Sequence, residues 1–177
     1  MKIDFRPMDQ PADAEGVCVG TLDGQPLVIR DRRLFAGGGE YDQAAASNAY
    51  VEAVDRAASE IFGSEWVSPL ARLMQINRRS TAKDRIAKFG LPTYVLLFLG
   101  EASHHQYPRA LGHFLLGVEV IQTAHGIEKA VPGTGRPLSV DVAGRGLLVA
   151  DTMRTATAMI DEVLAARELF RTGTGER

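Results

Sequence analysis

One cysteine in 177 residues excludes an intrachain disulfide, so the fold has to hold through an apolar core. Aromatic residues make up only 7% and tryptophan occurs once, which leaves aliphatic side chains and alanine to fill that core. No stretch approaches the roughly 20 consecutive apolar residues of a membrane span, and the opening MKIDFRPMDQ lacks the long apolar centre of a signal peptide. With a lone Cys18, these features point to a cytoplasmic protein without a membrane partner. Neither sign of charge dominates. Twenty Lys and Arg against 22 Asp and Glu give −2, too little for a global positive field that would hold nucleic acid. What is there, 45% hydrophobic and 24% charged residues, fits one globular domain and is too short for two ordinary ones.

The pattern along the chain predicts an α+β fold: a mainly helical, bundle-like domain over 1–177 with a small N-terminal antiparallel β meander at 1–35. Ile3 and Phe5, then Val17, Val19 and Thr21, then Leu27 and Ile29 alternate in period two, and Asp23-Gly24 is a type I′ hairpin signal. AGGGE at 36–40 reads as a flexible joint into a helical core at 41–131. Ala46, Ala49, Tyr50, Ala53, Val54, Ala57 and Ile61 recur at helical spacing up to the Gly63 stop. A short helix follows around Ser68 and Pro69, and Thr81 with Asp84 resembles a capping box. The run TYVLLFLGEASHH at 93–105 fits a buried strand or a buried helix, and helix is favoured by its leucines. Pro108 opens a central helix whose first half, ALGHFLLG, is apolar almost all round and so expected to be enclosed by protein. A long C-terminal helix at 141–171 is expected, with two strands at LSVDV and LLVAD as the alternative, and 172–177 as a frayed tail.

Chemistry-bearing residues fall in three groups. Glu101-x-x-His104 is one ligand pair of the kind used in dinuclear carboxylate bundles, and His125 completes a candidate set for one divalent metal ion. Glu119, crowded by Val118 and Val120, is the candidate acid/base residue with His125, since burial would raise its pKa. Arg78, Arg79 and Lys83, in the basic run NRRSTAKDRIAKFG, are candidates for binding a small anion, as is Arg109 at the start of the central helix. That run resembles a helix-turn-helix in Ile86, Ala87, Gly90 and Val95. The reading helix would then begin at Thr93 with the apolar VLLFL, so no sequence-specific nucleic-acid contact is expected. The functional expectation is divided between two classes. One is a small enzyme with a polar pocket between helices, using a metal ion if it takes any cofactor. The other is a non-catalytic assembly or adaptor protein that self-associates through glycine- and alanine-rich surfaces.

Overall fold

A computed structural model describes residues 1–9, 15–30, 33–124 and 142–173. Met1–Gly117 and Val118–Arg177 are two compact units. The first opens with an antiparallel meander, spatial order β1-β2-β3-β4-β5, made of Ile3–Phe5, Val17–Leu22, Gln25–Arg30, Arg33–Ala36 and Gly39–Tyr41. The expected hairpin is present. Leu22 pairs with Gln25 across Asp23-Gly24, whose φ values of 48° and 85° suit a type I′ turn. The sheet runs past its expected end at residue 35, because AGGGE is not a joint. Ala36 pairs with Gly39 across Gly37-Gly38, both at positive φ, so the glycines close a second tight hairpin. Gly20 marks a register shift in β2, and a Cβ there would run into the Asp4 carbonyl of β1.

Six α-helices follow among the described residues: α1 Gln43–Phe62, α2 Val67–Leu73, α3 Lys83–Phe89, α4 Thr93–Ser103, α5 Pro108–Ala124 and α6 Val142–Gly173, with a 3₁₀ turn at Arg78–Thr81. This is the expected α+β class. None of these helices is long and apolar enough to cross a membrane. The α1 stripe is buried as its spacing predicts, through Ala46, Tyr50, Ala53, Val54, Ala57 and Ile61, against Ile3, Phe5 and Leu27 of the sheet. The ambiguous run at 93–105 is helix. Val95, Leu96, Leu99 and Ala102 are buried while Tyr94 and Leu97 are exposed, a period that only a helix satisfies. Gly100 lets α4 press against the backbone of Arg6.

One further expectation is corrected. The first half of α5 is not enclosed: among the described residues nothing covers Phe114, which is 53% exposed. Gly112 of the same helix does mark a close approach, since a Cβ would meet the Ile61 carbonyl, but Gly117 faces open space. At the C-terminal end the expected long helix is present as α6: LLVAD lies inside it rather than in the alternative strand, and it continues to Gly173. LSVD, and the loop at 132–137, lie outside the described residues.

Tyr50 carries a pH signature of this core. Burial pushes its phenol up to about 12 from the ordinary 10, partly opposed by the Leu91 N–H that donates to its oxygen. The folded state therefore holds this proton more tightly than the unfolded chain. Its contribution is fully present below pH 10 and is lost as pH rises from 10 to about 12. Urea midpoints measured across that window should fall with a slope of up to about 1.4 kcal/mol per pH unit from this one group. Tyr50→Phe should flatten the slope, and an unchanged slope in the variant would assign it to other groups.

Candidate nucleic-acid interface

The basic run acquires its geometry from how α2 ends. Gln75 takes a left-handed φ of 53°, its N–H donates to the Arg72 carbonyl at 3.2 Å, and the Ile76 N–H donates to Ala71 at 3.0 Å. This is a Schellman stop built without glycine. Asn77 then caps the 3₁₀ turn, its side-chain oxygen accepting the Arg79 N–H at 2.9 Å. Thr81 is not the cap of the following helix. It is fully buried, and its hydroxyl lies 2.7 Å from the Arg78 carbonyl and 3.3 Å from the Val67 carbonyl, which ties the 3₁₀ turn to the start of α2. Ala82 holds the cap position of α3 without a side-chain bond.

The result is α2, the connector Met74–Asn77, the 3₁₀ turn, and then α3, which starts anew after the extended Ala82. Its inner side is buried through Leu70, Ala71, Thr81 and Ile86. Its outer side exposes Asn77, Arg78, Arg79, Ser80, Lys83, Asp84, Arg85 and Lys88. The helix beginning at Thr93 is the core helix α4, and the polar outer face is carried by the 3₁₀ turn Arg78–Thr81 and the short α3. The apolar VLLFL lies in α4, whose Val95, Leu96 and Leu99 are buried, so that helix presents no polar reading face. No family model, curated protein or solved structure matches the chain.

The cations of this face are not equivalent. Lys83 is occupied: its Nζ lies 3.1 Å from Asp55 Oδ1, the oxygen that also accepts the Trp66 Nε1–H at 2.8 Å. Arg85 and Lys88 flank the exposed Phe89 ring at 5.5 and 5.2 Å. Among the described residues, none of Arg78, Arg79, Arg85 and Lys88 has a carboxylate within ion-pair distance. Sequence reasoning had named Arg78, Arg79 and Lys83 but not Arg85. The missing signal was the helical register that separates Lys83, held against α1, from Arg85.

The other candidates stand apart from this face. Arg109 directs its guanidinium to the Ser59 carbonyl at 2.6 Å and the Glu60 carbonyl at 3.3 Å, so it satisfies the C-terminal carbonyls of α1 rather than awaiting an anion. His104 caps the end of α4. Its Nδ1 lies 3.0 Å from the Gly100 carbonyl, which requires that nitrogen to donate, and its Nε2 lies 3.9 Å from Asp4 Oδ2. Glu101 is exposed on the last turn of α4. Glu119 is half-buried on the part of α5 in the second unit, and His125 lies outside the described residues. Among the described residues no three His, Cys, Asp or Glu side chains gather closely enough to hold a metal ion.

Proposed function

We propose that the chain binds duplex DNA through the helix-turn-helix of residues 67–89. The observation that carries this reading is the two-sided character of residues 78–89. Thr81 and Ile86 anchor them in the core, and four cations that have no acidic partner among the described residues stand exposed beside Asn77, Ser80 and Asp84. Arg78 and Arg79, on the 3₁₀ turn, have the fork that pairs with phosphate oxygens, and Arg85 and Lys88 suit phosphates as well. Anisotropy of a labelled duplex tests it. With about four phosphates neutralised, affinity should fall roughly a hundred-fold between about 50 and 200 mM salt. Absence of binding at the lower salt, or binding indifferent to salt, would refute the reading.

Self-association has its own support in α6. Val149, Met153, Ala156, Ile160 and Val163 repeat at alternating spacings of four and three, the heptad seam of a coiled coil. Met153, Ile160 and Val163 are 44%, 60% and 66% exposed, and Asp151, Arg154, Asp161 and Glu162 lie off the seam. A second copy of α6 in parallel register matches this seam to itself and sets Met159 beside Leu164 at flanking positions. Sedimentation equilibrium should show a dimer or higher oligomer, and Ile160→Asp should shift it to monomer. A wild-type chain that sediments as a monomer at about 100 μM, far above the micromolar Kd of a modest interface, would refute this part.

A further inference from the structure

Beside the outer face of α3 lies a cleft of about 740 Å³, within the size range of small-ligand sites. Ile29 and Leu34 from the sheet supply apolar floor, and Phe89 and Tyr94, 57% and 53% exposed, supply aromatic rims. The charged side chains of its lining are all cations, beside the neutral Asn77, Ser80 and Thr93. Arg79 and Arg85 line the cleft, and no carboxylate does. Tyr50, only 4% exposed, also lines it. The Tyr50 hydroxyl accepts the Leu91 N–H at 3.2 Å, and among the described residues no group accepts its proton. A buried hydroxyl proton without an acceptor is a cost that an incoming oxygen would remove.

The fourth contribution comes from α4, whose first turn opens on the same cleft through Pro92, Thr93 and Tyr94. Proline at the cap position supplies no side-chain acceptor. The amides of Val95 and Leu96 turn back to the Pro92 carbonyl at 2.9 and 3.3 Å, whereas those of Thr93 and Tyr94 have no partner among the described residues. Two orphan N–H groups at the positive end of an eleven-residue helix suit an anion.

Donors of one sign around an apolar, aromatic-rimmed space define the occupant. The geometry points to a binding site for a small planar aromatic molecule that carries a phosphate or carboxylate group. The anion sits between Arg79, Arg85 and the start of α4, its oxygen takes the Tyr50 proton, and the ring lies between Phe89 and Tyr94. This site goes beyond the DNA-binding reading and does not depend on it, although Arg79 and Arg85 serve both.

Calorimetric titration of the full chain with phenyl phosphate, in the absence of nucleic acid, tests it against inorganic phosphate, benzoate and phenol. Phenyl phosphate or benzoate should bind at least about ten-fold more tightly than either inorganic phosphate or phenol, because only a molecule with both parts uses the donors and the rims. Arg85→Gln, a substitution at an exposed side chain, should weaken the better binder about ten-fold or more. Lys88→Gln, which removes a neighbouring charge outside the cleft, should leave that affinity unchanged. Tyr50→Phe adds a second readout if the variant folds, with a loss of several-fold. Inorganic phosphate binding as tightly as the better of phenyl phosphate and benzoate would reduce the site to an adventitious ion only and overturn the proposal. Equal losses in Arg85→Gln and Lys88→Gln would overturn it as well, by assigning the effect to general surface charge. None of these outcomes bears on duplex binding, so the two readings fail separately.

Discussion

Glutamine at both Arg78 and Arg79 is expected to weaken duplex binding about a hundred-fold near 100 mM salt and to reduce the slope of log K against log[salt] by about 1.8. The size follows from what the two side chains do in the free protein. Neither guanidinium has an acidic partner among the described residues, so their hydrogen-bonding capacity is available to DNA. The backbone of the 3₁₀ turn does not depend on them, because Asn77 takes the Arg79 main-chain N–H and glutamine retains it. Unfolding midpoints should therefore stay within about 0.5 kcal/mol of the parent chain, as for surface substitutions generally. Asp84→Asn should act in the opposite direction and strengthen binding several-fold, since Asp84 is the carboxylate on the exposed face. Arg109→Gln serves as the contrasting case. It removes a cation of the same chain, but one bonded to the Ser59 and Glu60 carbonyls, so stability should fall while the salt slope is retained. A double variant that binds as the parent does would take the interface away from residues 78–89.

Much of the first unit was legible because its signals are local. The alanine-rich stripe of α1 and the Asp23-Gly24 turn each depend on residues within a few positions of one another, and both formed as spacing dictates. Three glycines in AGGGE were harder, since the same residues serve a loose joint and a type I′ turn. Only pairing of Leu34 with Tyr41 and of Phe35 with Glu40 decides between them. The helix-turn-helix was obscured for a different reason. Its turn uses Gln75 at positive φ where glycine would have announced a stop, and Ala82 rather than Thr81 of the apparent capping box holds the cap position of α3. The cleft was not legible at all. Its buried hydroxyl and the amide that fixes it are 41 residues apart, and no periodicity connects Tyr50 to the start of α4. Tertiary packing brings them together, and only then do Arg79 and Arg85 acquire a common neighbour.

The largest loss of stability is expected from the single tryptophan. Trp66 is 1% exposed, and its Nε1–H donates at 2.8 Å to Asp55 Oδ1, which also faces Lys83 Nζ at 3.1 Å. One side chain thus fills the volume at the entry to α2 while one carboxylate joins α1, α2 and α3. Trp66→Ala removes the ring and should cost about 3–5 kcal/mol, the range for large aromatic truncations in cores. Trp66→Phe keeps much of the apolar contact and should cost roughly 1–2 kcal/mol, mainly the lost hydrogen bond and a smaller void. Lys83→Met should cost no more than about 1 kcal/mol, because the Lys83 and Asp55 side chains are 61% and 40% exposed and water screens the pair. Urea unfolding at neutral pH gives the three values directly. The order Ala, Phe, Met also predicts binding measured below each variant's melting range. Trp66→Ala loosens the support of the recognition segment and should lose affinity even where most molecules remain folded, whereas Lys83→Met removes only a cation already engaged by Asp55. If Trp66→Ala unfolds at the parent's urea midpoint, the helix-turn-helix is held by Thr81 and Ile86 alone. If Lys83→Met loses as much affinity as the Arg78/Arg79 pair, the Asp55 contact does not keep Lys83 from the DNA.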